Sequence, residues 1–249
     1  MLKWPLAKVK MMIRKILFAA SAFVCPLAAF AQGDQRDLHL WTAIEVNHKL
    51  NKKVELSAQF QSRFDREVNR LRGNYFSIDA SRKLGKGFRL LFDARFATSS
   101  QWDKYRFGIG LQKNIKFDEK GNNELKFRAN YQYQFFPTAD VQYGIYVPQQ
   151  NFRIRASFNK KIIKKTYLSI QSEPMWRAEA GSFFFRRVRS TISVKRSLPG
   201  PWAIQVGYTR QFNFNNPADI QIVSASLSYE FKRKPKAKTL PFNPVPAQQ

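Results

Sequence analysis

The sequence is poor in the residues that build disulfides, metal sites and catalytic centres. Among its 249 residues there is one cysteine, Cys25, and there are two histidines, His39 and His48. One cysteine cannot close an intramolecular disulfide, and two histidines are too few for a transition-metal site with three or four protein ligands. No serine stands at a spacing that ties it to His39 as a catalytic pair. We therefore predict a protein that is not an enzyme and that holds no metal and no cofactor.

Apolar runs long enough to span a membrane as a helix are also missing. The stretch 16–30 is apolar, but it is about fifteen residues long and a proline interrupts it. It follows two basic residues and ends on an Ala-x-Ala sequence, which is the order of a secretory signal peptide. We predict that residues 1–31 are a cleavable signal peptide, with the true start at Met11 or Met12. Cleavage removes Cys25, so the exported chain has no thiol.

Acidic residues are scarce, with 17 Asp and Glu against 43 Lys and Arg. Residues 32–231 alone keep a net charge of +16, so the excess belongs to the body of the protein and not only to its ends. By itself this charge suggests nucleic acid or an anionic membrane surface as a partner. The segment 232–249 is rich in proline and lysine and has no strand pattern, which predicts a disordered basic tail in the periplasm.

What the sequence has in abundance is alternation with a period of two residues. In VELSAQFQSRF, residues 54–64, even positions are apolar and odd positions are polar, with Ser62 as the exception. Successive side chains of a strand point to opposite faces, so each such segment has one apolar and one polar face. Eleven segments follow this pattern: 38–49, 54–64, 75–84, 88–98, 104–117, 124–135, 151–160, 166–176, 184–196, 202–213 and 220–231.

Most of these segments are longer than the strands of soluble sandwiches and match the length that crosses a bilayer at a tilt. Aromatic residues near the segment ends suggest interfacial girdles: Trp41, Tyr75, Trp102, Tyr167, Trp176, Trp202 and Tyr229. We predict an all-β protein whose residues 32–231 form an antiparallel transmembrane β-barrel, in preference to a soluble β protein. Because single-chain bacterial barrels normally have an even number of strands, we expect about twelve strands, with 140–147 as the hidden one, and accept ten.

The connections between the segments alternate in character. One set is short and basic, with a net charge of +11, and the other is longer or less basic, with a net charge of −2. In bacterial outer-membrane barrels the periplasmic turns are short and the extracellular loops are long, so we assign the basic set to the periplasm. Its lysines can contact anionic outer-membrane lipids. The final alternating strand, ending at Phe231, resembles the signal that the barrel-assembly machinery reads.

The stretch 40–64, LWTAIEVNHKLNKKVELSAQFQSRF, carries a resemblance to a known family. Its Trp-Thr opening strand, its KLNKKV turn and a second strand that ends in Arg-Phe resemble the outer-membrane barrel family called domain of unknown function 2490. The later strands KFRANYQYQF and QNFRIRASF are similar in style. The resemblance implies a barrel in the outer membrane of a Gram-negative envelope. It brings no activity and no catalytic residue.

The polar faces of the predicted strands are strongly basic, and in a barrel they line the lumen. The inward acids are fewer: Glu45, Glu55, Asp79, Asp93 and Glu124. The predicted lumen-facing basic residues are Arg63, Arg89, Arg95, Arg106, Lys126, Arg128, Arg153, Arg155, Arg187, Arg189 and Lys195.

Three functions remain open on this pattern. The first is a narrow, anion-preferring channel or a barrel that binds a small anionic molecule, because unpaired buried cations need water or an anion. The second is a barrel plugged by its own ion pairs, with a structural or scaffolding role. The third, a secreted β protein that binds nucleic acid, ranks last, because long apolar aromatic faces would make it insoluble, and we expect no nucleic acid partner.

Overall fold

A computed structural model describes residues 36–99, 103–117, 122–136, 148–179, 181–214 and 219–231 of the chain. The predicted signal peptide and the predicted tail lie outside these residues and stay predictions. No helix among the described residues is long and apolar enough to cross a membrane. The strands are β1 (Arg36–Lys49), β2 (Val54–Asp65), β3 (Arg70–Gly85), β4 (Phe88–Thr98), β5 (Asp103–Lys116), β6 (Asn123–Phe135), β7 (Gln149–Ile163), β8 (Thr166–Glu179), β9 (Ser182–Ser197), β10 (Trp202–Asn213) and β11 (Asp219–Phe231).

The strands close into one barrel in which each strand pairs with its neighbours along the chain and β1 pairs with β11. The structure confirms the predicted all-β barrel. The expected count of twelve strands, with ten as the alternative, is wrong for the described chain, because eleven strands complete the ring. An odd number of up-and-down strands closes only if the first and last run in the same direction, and β1 and β11 are indeed parallel. The candidate strand 140–147 lies outside the described residues.

The parallel pair of β1 and β11, which we call the parallel seam, and the order of the strands define the two ends of the barrel. The turn end carries the connections 50–53, 86–87, 117–122, 164–165 and 198–201, together with the end of β11. The loop end carries 66–69, 99–102, 136–148, 180–181 and 214–218, together with the start of β1. The expected difference in length rests mainly on 136–148, because β3 and β8 extend into segments that the sequence suggested were loops. The difference in charge persists, with a net +4 at the turn end and −1 at the loop end.

The barrel is packed inside out compared with a soluble protein. Large apolar side chains between the two ends are exposed on its outer face, for example Phe60, Ile78, Phe107 and Ile170, each about half exposed. Among the described residues, the buried side chains are mostly polar, such as those of Gln132, Gln211 and Glu173. An apolar exterior around a polar interior is what a lipid surrounding requires.

Aromatic rings cluster on the outer face at both ends. At the loop end Tyr105 stacks on Phe135 with ring centroids 5.4 Å apart, and Trp176 packs on Phe185 at 5.2 Å. At the turn end Trp202 meets Tyr229 edge to face at 4.8 Å. These clusters have the placement of interfacial girdles.

The girdle prediction is wrong for Trp41 and Tyr75, because both side chains line the interior of the barrel. They lie on the lumen face because they are in phase with the polar positions of β1 and β3. Closeness to a strand end does not fix which face a side chain occupies. Trp102 lies outside the described residues.

A basic lumen with a ladder of arginines and aromatic rings

The barrel encloses a cavity of about 1130 Å³. Its wall includes Gly200 and Glu230 near the turn end and Ala97 and Lys104 near the loop end, so the cavity runs along the barrel. All eleven basic residues that the alternation predicted to face the lumen lie on this wall: Arg63, Arg89, Arg95, Arg106, Lys126, Arg128, Arg153, Arg155, Arg187, Arg189 and Lys195.

One group of these cations is paired with acids near the middle of the barrel. Arg106 donates to Asp93 Oδ1 through Nη2 at 2.8 Å and through Nε at 3.2 Å. Asp93 lies against Gly108, its directly paired residue on β5, where any Cβ would overlap its carboxylate. The glycine therefore lets the carboxylate lie flat on the wall, within reach of Arg106.

A second pairing centres on Glu173, whose side chain is 5% exposed. Its carboxylate accepts a hydrogen bond from Arg153 Nη2 at 2.6 Å and two from Arg155, through Nη2 at 2.9 Å and Nε at 3.0 Å. Glu173 falls within the predicted strand segment 166–176, but it is not among the inward acids that the sequence analysis named. Its phase with Gln171 on the lumen face was the signal that could have identified it.

The remaining paired cations lie nearer the turn end. Arg89 contacts Glu55 at 3.3 Å, and Lys126 contacts Glu124 at 3.0 Å. Arg128 has an amide partner instead of an acid, since its Nε and Nη2 both donate to Gln112 Oε1. Lys195 is exposed near the turn end.

Towards the loop end, a ladder of alternating guanidinium groups and aromatic rings crosses the wall. The Arg63 guanidinium lies 4.0 Å from the centroid of the Trp41 ring and 3.8 Å from that of Tyr75. Arg189 lies 5.5 Å from the Trp41 ring, and Arg95 lies 6.0 Å from the Tyr75 ring. We call these five residues the lumen ladder. Contacts of this kind are favourable and strengthen as water is excluded.

The lumen ladder crosses part of the lumen. Trp41 belongs to β1 and Arg189 to β9, and two strands, β11 and β10, separate these in the ring. A contact between them must therefore span a chord of the barrel. The ladder narrows the passage at this level and places three cations around it.

The hydrogen bonds of the ladder cations go to amides. Arg63 Nε donates to Gln61 Oε1 at 2.8 Å, and Arg189 Nε donates to Gln211 Oε1 at 2.6 Å. Arg187, beside the ladder on β9, reaches the same Gln211 oxygen at 3.2 Å through Nη1. The lumen cations thus divide into those held by carboxylates and those held by neutral groups.

Several buried donors on the wall have no hydrogen-bond partner in the described structure: Trp41 Nε1, Arg95 Nε, Arg153 Nε and Arg187 Nε. Two buried amide oxygens, those of Asn130 and Asn151, also have no hydrogen-bond partner among the described residues. Buried polar groups normally find partners, and leaving one without a partner is costly. Donors, and cationic ones above all, dominate this set, which makes the wall suited to an acceptor with negative charge.

Two further cations line the cavity that the sequence reading did not place there, Lys104 and Arg186. Lys104 is the first residue of the predicted segment 104–117 and is in phase with Arg106. Arg186 is in the opposite phase and faces inward because the register between β8 and β9 shifts at Met175 and Trp176, which inserts an extra residue in β9. The described wall then carries thirteen Lys and Arg against six Asp and Glu, so it stays cationic after every acid is counted.

Comparison with protein families identifies the chain. The model of the family of proteins of unknown function DUF2490 matches residues 38–221. The protein belongs to this family. The match covers β2 to β10, all of β1 but its first two residues and the first three residues of β11, and it confirms the resemblance seen in the stretch 40–64. No curated protein sequence matches the chain.

Solved structures with a similar architecture are membrane barrels. The NanC porin, in a rhombohedral crystal form, is 10% identical with a TM-score of 0.48, over 71% of this chain and 87% of its own. The KdgM porin in complex with disordered oligogalacturonate is 13% identical with a TM-score of 0.42, over 70% and 92%. The β domain of the Bordetella autotransporter BrkA is 12% identical with a TM-score of 0.43, over 73% and 85%.

Proposed function

We propose that this protein is an outer-membrane barrel whose lumen accepts small anions and passes them in preference to cations. The observation that supports this most directly is the set of buried cationic donors without acceptors, chiefly Arg95 Nε and Arg187 Nε. Together with the excess of basic over acidic residues on the described wall, they support a net positive potential in the lumen. Rings of like charge of this kind set the ion selectivity of pores.

The outer surface supports the outer membrane as the location. Apolar side chains cover the middle of the barrel, and aromatic clusters lie at both ends. Single-chain antiparallel barrels with this surface are typical of bacterial outer membranes. The predicted signal peptide provides the export that such a location requires.

The proposal is tested by incorporating the refolded mature protein into planar lipid bilayers and measuring the reversal potential in a KCl gradient. We expect conductance with a preference for chloride over potassium. Absence of conductance, or a preference for potassium, would contradict the proposal.

A double variant, Arg95→Gln with Arg189→Gln, tests whether the ladder cations set this preference. A unit charge about 4 Å from an ion in water contributes about 1 kcal/mol, so each substitution should lower the permeability ratio roughly fivefold. Arg82→Gln is the matched control, because Arg82 is exposed at the turn end and lies outside the cavity wall. It should leave the ratio unchanged.

The contact between Trp41 and Arg189 favours a second candidate, the plugged barrel, because it closes part of the lumen. In that case a folded barrel would show no conductance. Substitution of Trp41 by alanine would then open a current that the native protein lacks.

A further inference from the structure

We infer that Arg63, in the centre of the lumen ladder, is a subsite for oxyanions such as carboxylates and phosphates, and that it discriminates against halides. This inference rests on the proposed function and deepens it by naming the chemical class of the preferred anion. It is carried by the way in which the guanidinium group is held.

Two aromatic rings pack close to the Arg63 guanidinium. Its central carbon lies 4.0 Å from the Trp41 ring on β1 and 3.8 Å from the Tyr75 ring on β3. A ring from the strand on each side of β2 therefore crowds the group and restricts the approach of a ligand across its faces. The route that remains is in its plane, towards the edge that carries the N–H donors.

The rotation of that plane is fixed as well. Arg63 Nε donates to Gln61 Oε1 at 2.8 Å, so one edge of the group is tied to its own strand. The partners that hold Arg63 in place are thus two rings and an amide, all of them neutral. This differs from Arg106, Arg153 and Arg155, each of which forms an ion pair with a carboxylate.

A guanidinium edge is a rigid fork of parallel N–H donors that matches two oxygens of one carboxylate or phosphate. A halide is a single sphere and gains nothing from the fork beyond its charge. Holding the fork in place also removes the conformational entropy that binding would otherwise cost. Arg189 and Arg95, at the two ends of the ladder, add positive charge on either side of the fork.

The inference is tested by calorimetric titration of the detergent-folded mature protein with inorganic phosphate, in chloride and in chloride-free buffer. We expect saturable phosphate binding that excess chloride weakens only through ionic strength. Arg63→Lys keeps the charge and loses the fork, and it should weaken phosphate binding about tenfold. Arg82→Lys, on the exposed turn end, is the matched control and should bind like the native protein.

Tyr75→Leu provides a second variant that keeps every charge and removes one covering ring. It should also weaken phosphate binding, and heat-modifiable mobility in detergent gels shows whether each variant is folded. The inference fails if the native protein does not bind phosphate, or if folded Arg63→Lys and Tyr75→Leu bind it as the native protein does. A chloride-selective barrel without phosphate binding would overturn this inference alone, whereas phosphate binding without anion-selective conductance would overturn the proposed channel alone.

Discussion

Glu173 on β8 is the counter-charge of two arginines on β7, Arg153 and Arg155. Its buried carboxylate receives donors from two arginines, and the sites opposite it on β9 are also basic. Removing one partner of a buried ion pair leaves a charge that has already lost its water, which costs far more than the pair contributes. One acid therefore makes two close cations tolerable.

Glu173→Gln should lower the stability of the folded barrel by about 3 kcal/mol, because Arg153 and Arg155 lose their shared counter-charge. The same change should raise the anion preference of the lumen. The midpoint of urea unfolding in detergent micelles, followed by tryptophan fluorescence, measures the first effect, and the reversal potential measures the second.

Glu230→Gln is the matched control for Glu173→Gln. Glu230 pairs with Lys49, but both side chains are about half exposed. Exposed pairs contribute less than about 1 kcal/mol, so this variant should unfold close to the native midpoint. Equal destabilisation by the two variants would contradict the role given to Glu173.

At the scale of the strand, two glycines on the lumen face of β5 leave space for side chains of the neighbouring strands β4 and β6. Gly108 and Gly110 alternate on its lumen face, where the side chains of Asp93 and Asn130 lie directly over them. The structure identifies which side chains fill the space that each one leaves.

Gly110→Ala should destabilise the barrel more than Gly108→Ala. At Gly108 the three atoms nearest to the new methyl group all belong to the Asp93 carboxyl group, which can rotate away and lose Arg106. At Gly110 it also meets the Ala129 carbonyl oxygen at 2.7 Å, and backbone cannot rotate away. We expect a cost of about 1–3 kcal/mol for Gly110→Ala, from overpacking.

Urea unfolding in micelles ranks the two glycine variants, and each serves as the control for the other. The Gly108→Ala variant should in addition alter the reversal potential, because Asp93 no longer neutralises Arg106. The account of β5 is wrong if the order of stability is reversed.

At the scale of the whole molecule, the barrel closes through a parallel pair of strands. The pairing runs in register from Arg36 opposite Asp219 to His48 opposite Phe231. All other neighbouring strands are antiparallel, so this seam is the one place where chain direction repeats. The odd-numbered mitochondrial barrel of nineteen strands shows that such closure is physically allowed.

The seam predicts a specific cross-link. Thr42 and Ala225 are direct partners on the outer face, and neighbouring strands lie about 4.8 Å apart, within the range that a disulfide spans. Thr42→Cys with Ala225→Cys should therefore oxidise to a cross-linked form with changed gel mobility.

Ile44→Cys with Ala225→Cys is the control for this cross-link, because it is displaced by two residues along the same face. It should cross-link much less. If the displaced pair reacts better, or neither pair reacts in the folded barrel, the parallel closure is incorrect.

The charge difference between the two ends predicts the orientation of the barrel. Exposed lysines crowd the turn end, as at Lys52, Lys53, Lys164 and Lys165. Each contributes on the order of 1 kcal/mol when it lies near anionic lipid headgroups, so we expect this end to face the periplasm. The loop end, including the start of β1, then faces outward.

Labelling of intact cells with a membrane-impermeant maleimide tests this orientation. Glu67→Cys at the loop end should react, and Lys52→Cys at the turn end should react only after the outer membrane is permeabilised. Both positions are exposed, so accessibility within the barrel does not bias the comparison. The reverse pattern would invert the assignment.

The sequence predicted the strands and faces well, because alternation is a local property. All eleven alternating segments are strands, and Arg63, Arg95 and Arg189 line the cavity as their phase requires. The prediction from sequence was incomplete at the ends of strands, and it was wrong where pairing with a neighbouring strand shifted the register. The predicted segment 166–176 stops three residues before the end of β8, and the bulge opposite Met175 turns Arg186 inward against its phase.

By itself the sequence determined that this chain forms a β-barrel with a basic interior, because the period of two residues assigns each side chain to the outer or the inner face without knowledge of its partners. Only the tertiary structure decided that eleven strands close through a parallel seam, which cations meet carboxylates, and that Arg63 lies between Trp41 and Tyr75. These features depend on which strands become neighbours and in which register. The register is set when neighbouring strands pair in the closed barrel, so the sequence of one strand alone does not determine it.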